Sequence, residues 1–209
     1  MIVVDPEYLT LSYRLSYLGM PDARESPETY PLEWHIDIHA TVFPDDDSDG
    51  EEHSVGSAVI YTILKAGRID LFHTLDAVDQ ELASFGELLG VMRPDLLDEA
   101  GLKDLGGDLM ILSSLLINPD YRGQWLGHHV LWAVLATIGR SVALVALRAS
   151  PLLEDDGPEE GTPEHEAAKA QLRSYWETFG FVPALQDELG DYMVYFTAPH
   201  GDSEEVVPI

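Results

Sequence analysis

Leu109-Met110-Ile111-Leu112-Ser113-Ser114-Leu115-Leu116-Ile117, then Asn118-Pro119-Asp120-Tyr121, then Arg122-Gly123-Gln124-Trp125-Leu126-Gly127, is the stretch that decides how this chain folds. The apolar run is long enough for a strand at the centre of a sheet. Proline fixes φ and its neighbours Asn118 and Asp120 favour turns, so the strand ends at Ile117. From Trp125 the period changes. Leu126, Val130, Val134 and Ile138 make one helical stripe with Leu131 and Leu135 beside it, and Gly139 supplies a stop. Gly127 stands outside that stripe and serves the turn.

A strand, a tight glycine-bearing turn and a helix start together make a site for an anion. The first amides of a helix have no intrahelical acceptors, and the helix dipole places partial positive charge there. Arg122 adds a fixed positive charge. From the residues alone, the same joint also reads as a strand-turn-helix connection that binds nothing.

Ile117 to Gly127 resembles the acyl-CoA-binding signature of the GNAT superfamily of N-acyltransferases: an apolar strand end, a proline turn, then Arg/Gln-x-x-Gly-x-Gly/Ala. Arg122 and Gly127 match its ends, and Trp125 stands where the first glycine usually stands. A second stretch, Ala167-Ala168-Lys169-Ala170-Gln171-Leu172-Arg173-Ser174-Tyr175-Trp176-Glu177-Thr178-Phe179-Gly180-Phe181, is similar to another GNAT motif, a helix beside CoA that ends in an aromatic pair and Gly-Phe. In that family a tyrosine often protonates the departing thiolate. Its position is Trp176 here, and Lys169 stands where an asparagine is often found. Tyr175 precedes Trp176 by one residue, about 100° around the helix, and is the candidate acid.

The resemblance implies an α/β (α+β) fold with a mixed, mostly antiparallel central sheet flanked by helices. It implies acetyl-CoA as cofactor and direct transfer of an acetyl group to a primary amine of a small molecule or basic peptide. Cofactor contacts are expected from Leu116, Ile117, Arg122, Gly123, Gln124, Trp125, Leu126, Gly127, His128, Lys169 and Trp176, and a catalytic role from Tyr175. The backbone of Leu115 to Ile117 would meet the pantetheine and supply an amide to the oxyanion. A carboxylate, or a water held by one, would take the ammonium's proton, with Asp76, Asp79 and Glu81 as candidates. Ser113 and Ser114 lie on the strand, and one of them should face the cleft.

The whole chain has 209 residues, 45% of them hydrophobic, enough for one domain over 1–209 with a sizeable core. No apolar run reaches the roughly 18 residues of a membrane span, and the N-terminus lacks a secretory pattern. There are no cysteines, which removes disulfides and thiolate chemistry and fits a cytoplasmic protein. Eleven basic residues face 38 acidic ones, a net charge of −27. Such a surface repels nucleic-acid phosphates and attracts cations. The CoA site must then be a local basic exception, for which Arg122, Arg140, Lys169 and Arg173 are near in sequence. Acidic loops are expected near 44–52 and 154–161, and a loose tail near 199–209.

In chain order, Tyr8 to Leu18 alternates as a first strand. Pro21 to Pro31 is turn-rich. Glu33 to Phe43 is a strand with Trp34, Ile36, Ile38 and Ala40 on one face and His35, Asp37 and His39 on the other; those three could ligate a metal, though with no further ligand cluster in the sequence they read more simply as the wet face of a sheet. His53 to Leu64 is a strand that turns at Ala66-Gly67 into a short strand around Ile69. Thr74 caps a helix carrying Leu75, Val78, Leu82, Phe85 and Leu89, stopped by Gly90. Arg93 to Gly107 connects with one helical turn or two. Ser141 to Ala149 is a buried strand. Thr162-Pro163 opens a helix that runs to Phe179, and Phe181 to Leu185 and Tyr192 to Thr197 close the sheet. Two other functions fit the same residues: a CoA-binding module without catalysis, suggested by Trp125 and Trp176, and an acidic protein that binds a basic partner. A homo-oligomer is compatible with each.

Overall fold

A computed structural model describes residues 2–17, 19, 22–43, 49–151, 159–185 and 191–197. The strands are β1 (Leu9–Leu15), β2 (Leu32–Val42), β3 (Glu51–Ile63), β4 (Asp108–Ile117), β5 (Val142–Arg148), β6 (Val182–Pro183) and β7 (Tyr192–Phe196). The helices are α1 (Leu71–Asp76), α2 (Gln80–Glu87), α3 (Pro94–Glu99), α4 (Leu102–Leu105), α5 (Leu126–Thr137) and α6 (Pro163–Phe179). The seven strands form one sheet in the order β1-β2-β3-β4-β5-β7-β6. Every neighbouring pair is antiparallel except β4 and β5. The sheet is thus mixed and mostly antiparallel with helices against both faces, the fold class read from the sequence.

Two cores follow from the two-residue period of the strands. Ile36, Ile38 and Ala40 of β2 and Met110 and Leu112 of β4 face α5 and α6, where Val130, Leu131, Val134, Trp176 and Phe179 meet them. Leu109 and Ile111 face the other way, onto Leu75, Leu82, Phe85 and Leu89 of the α1–α2 region. Because both faces are covered, Asp108–Leu112 is buried throughout.

The segment between β3 and β4 departs from the sequence reading. Ala66–Arg68 is a 3-10 turn that leads directly into α1, so no strand forms around Ile69. The single helix expected from Thr74 is two helices. Asp70 caps α1, its Oδ1 accepting the His73 amide at 3.0 Å, and Asp79 caps α2, its Oδ1 accepting the Leu82 amide at 2.8 Å. An aspartate whose carboxylate binds the amide three residues on starts a new helix even where the apolar period runs through it. Thr74 is buried inside α1. Gly90 lies within a π-helical turn, Leu88–Met92, and does not end α2. α6 forms as read: Thr162 accepts from the His165 amide and Gly180 ends the helix at φ 116. Residues 44–48 and 154–158 of the expected acidic loops, the end of the first strand at Leu18, and the tail near 199–209 lie outside the described residues. Among the described residues no helix is long and apolar enough to cross a membrane.

Candidate active site

β4 and β5 run side by side from Asp108 opposite Val142 to Leu112 opposite Leu147, and then part. The parting coincides with a bulge. Ile60 of β3 faces Leu112 and Val59 faces Ser114, so Ser113 is the extra residue. Beyond it β4 keeps β3 on one edge only. The Asn118 amide donates to Val55 O at 2.8 Å, toward β3. By the strand's alternation, Ile117 and Leu115 turn their backbone groups to the open edge. Arg122 confirms this side, its Nε donating to Ile117 O at 2.8 Å.

The gap is a cleft of about 800 Å³. Its walls are Leu112–Ile117 of β4, Leu147 and Arg148 of β5, Ala168, Gln171, Leu172, Tyr175 and Trp176 of α6, and the turn before α5. That turn needs left-handed backbone at Gly123 (φ 80) and at Trp125 (φ 60). Among the described residues, the amides of Gly123, Gln124, Trp125 and Leu126 donate to no protein acceptor. The His128 amide donates to the Tyr175 hydroxyl at 3.1 Å, and the Gly127 backbone lies beside the same oxygen. The Tyr175 ring stacks on the Trp125 indole, with centroids 5.3 Å apart and planes 7° from parallel. Gly127 leaves room for this: a Cβ there would lie 2.6 Å from Tyr175 Oη and 3.1 Å from Leu115 Cδ2.

The helix start is therefore shared between open amides and a phenol. Burial pushes the Tyr175 hydroxyl up to about 12, against the pull of the His128 and Gly127 backbone. It stays a neutral phenol that accepts from the His128 amide and keeps its own proton to donate.

Of the residues assigned to the cofactor from sequence, Leu116, Ile117, Arg122, Gly123, Trp125, Leu126, Gly127 and Trp176 line the cleft together with Tyr175. Gln124, His128 and Lys169 do not. Gln124 turns back to the N-terminus, accepting from the Val4 amide at 2.8 Å and donating to Ile2 O at 2.7 Å. His128 Nε2 lies 3.0 Å from Tyr175 O, and burial lowers its pKa. Lys169 is bound to Asp191 at 2.7 Å and Glu166 at 3.3 Å. Arg140 donates to Ala136 O and Arg173 faces Asp191. The basic exception consists instead of Arg122 and Arg148. Arg148, Gln171 and Leu172 were not singled out in sequence. The last two share a helix face with Ala168 and Tyr175 by steps of three and four, which was the available signal.

Where the strands part, Ser113 Oγ lies 3.3 Å and 3.4 Å from the two oxygens of Glu81 on α2. Desolvation raises the Glu81 carboxyl, while the Ser113 hydrogen bond and Arg148 oppose the rise. On β3, burial and the neighbouring Glu33 push the Tyr61 hydroxyl up as well. Asp79 is committed to its cap and Asp76 is exposed. Glu81 is thus the one of the three candidate carboxylates that reaches a cleft residue. On β2, His35 faces Glu33 at 3.1 Å and His39 faces Glu52 at 3.9 Å. Among the described residues no three His, Asp or Glu side chains are grouped to hold a metal.

No family model matches the chain, and no curated protein matches it. Solved structures similar to it include a mosquito arylalkylamine N-acetyltransferase like 5b, 12% identical with a TM-score of 0.41 over 78% of this chain and 74% of that one. An agmatine N-acetyltransferase mutant in its apo form is 11% identical, with a TM-score of 0.41 over 90% of this chain and 100% of that one. AtaTR bound with AcCoA is 10% identical, with a TM-score of 0.36 over 91% and 95%.

Proposed function

We propose that this chain is an N-acetyltransferase that moves an acetyl group from acetyl-CoA directly to a primary amine. The observation that carries the reading is the parting of β4 from β5 beside a helix start. The amides of Gly123 to Leu126 and the free end of Arg122 suit a diphosphate. The open edge at Leu115 and Ile117 suits the amide groups of a pantetheine arm, and the gap is roomy enough for that arm. Acetyl-CoA supplies the acetyl group as a thioester. Glu81, with Ser113 beside it, takes the proton that an ammonium must lose before its nitrogen can attack. The Tyr175 hydroxyl gives a proton toward the departing sulfur. The acidic surface draws cationic amines toward the cleft.

A CoA-binding module without catalysis is the second reading. It is favoured by Trp176, which has no useful proton at the family's tyrosine position, and by the engagement of Tyr175 with α5. A thermal-shift titration with acetyl-CoA followed by an amine screen for thiol release separates the two. Stabilisation with turnover supports the transferase, stabilisation without turnover supports the module, and no stabilisation sinks both. Gly127→Glu, which drives bulk and negative charge into the helix start, is expected to abolish the shift.

A further inference from the structure

With 38 acidic residues on the chain, a basic side chain has carboxylates in most directions, and several find one. Arg93 pairs with Asp95, Lys103 with Asp98, and Lys169 and Arg173 with Asp191. Arg24 and Arg68 enter none of the ion pairs formed among the described residues. They nevertheless meet, with His73, around one pocket of about 370 Å³. The carboxylate in its wall, Asp70, is committed as the α1 cap. Near Arg24, Asp22 accepts that residue's own backbone amide at 3.0 Å. The Arg68 guanidinium lies over Gly106, where a Cβ would stand 3.5 Å from Nη2 and where the backbone is left-handed, φ 74.

Arg24 and Arg68 both line one concavity, and an oxyanion bound there offsets the mutual repulsion of the two cations. Each guanidinium offers a planar fork that fits two phosphate oxygens at once. The pocket is at the small end of ligand sites, large enough for a phosphate bearing a short organic group. It belongs to the opposite end of the sheet from the cleft. β3 ends at Ile63 opposite Leu109, and at about 3.3 Å per residue Leu109 is roughly 25 Å from Ile117. We propose that Arg24, Arg68 and His73 form a second ligand site, for the phosphate group of a small molecule, separate from the cleft between β4 and β5.

The test follows the His73 ring resonance by NMR at constant ionic strength while inorganic phosphate or glycerol 3-phosphate is added to the full chain. A saturable shift is expected. It should weaken at least tenfold in Arg24→Ala or Arg68→Ala and vanish in the double variant. Both side chains are exposed, so these variants keep the fold. Arg122→Ala should retain the phosphate response, and the two pocket variants should retain the thermal shift by acetyl-CoA if the wild type shows one. Tighter binding of the monoester identifies a phosphorylated metabolite as the occupant, and equal binding identifies free phosphate. A response that never saturates, or a double variant indistinguishable from wild type, overturns the site.

Discussion

Tyr175 is the residue on which the proposed chemistry of the cleft turns. It accepts from the His128 amide at the start of α5, lines the cleft and keeps its proton at neutral pH. Tyr175→Phe keeps the stacking on Trp125 and removes only that proton and acceptor. If the hydroxyl is the acid, kcat should fall about 100-fold, the low end of what acid–base catalysis contributes, with a much smaller change in KM for acetyl-CoA. A loss confined to KM would assign the oxygen to binding and remove it from the reaction. Glu81 makes a separate prediction. As a base it must be ionised, and desolvation raises its carboxyl above the usual range. Activity should therefore fall as pH drops through that raised value, with the midpoint above an ordinary glutamate's. Glu81→Gln should lower kcat/KM about 100-fold at neutral pH and erase that acidic limb. An unchanged pH profile in the variant would clear Glu81 of the role.

Residues were legible where the information is local. The turn at Asn118-Pro119, the Thr162 cap and the Gly180 stop each follow from one side chain's own conformational preference. Lys169 was not, because its partner Asp191 lies beyond the helix and in another segment. Tyr175 was legible as a displaced hydroxyl one residue off the family's position. That its oxygen would reach the His128 amide depends on how α6 crosses the start of α5, which no spacing within either helix encodes.

At the scale of elements, α6 is one wall of the cleft, and Asp191 fastens it. The carboxylate, only 10% exposed, faces both Lys169 and Arg173, and its backbone O accepts the Ala149 amide just past β5. Breaking a buried ion pair from one side costs about 3 kcal/mol. Asp191→Ala should thus lower Tm by roughly 6–12 °C for a chain of this size and weaken any thermal shift that acetyl-CoA gives the wild type. A calorimetric Tm within a degree of wild type would contradict this account of α6. The sign with pH is fixed by Lys169, whose pKa is raised by its hydrogen bond to Asp191. A raised lysine contributes stability that is fully present below its unfolded value and is lost as pH rises through the folded one. On the alkaline side the contribution therefore disappears only in strongly alkaline solution. The α1–α2 break shows where element-scale reading failed. The apolar stripe from Leu75 to Leu89 is continuous, so periodicity joined what the Asp79 cap divides.

For the whole molecule the dominant fact is −27. Like charges on a compact body repel, and salt shortens the range of that repulsion from about 30 Å at 0.01 M to about 3 Å at 1 M. Tm should accordingly climb by several degrees between those limits in KCl, and kcat/KM for a cationic amine should decline over the same range while that for an uncharged analogue holds. A Tm that drops with salt would mean that paired charges outweigh the repulsion. Composition made this property readable without any structure. It could not show that Arg122 and Arg148 are the cations kept at the cleft, since that depends on which strands part.

The parting of β4 from β5 also bears on how the protein is made. Four strands hydrogen-bonded in chain order, β1 through β4, form one lip of the opening, and all of them precede Val142 in the chain. The other lip, β5 and α6, comes later in the chain. The mouth is thus a suture between early and late portions, and a molecule lodged in it clasps the two, so that occupancy and completion of the fold reinforce each other.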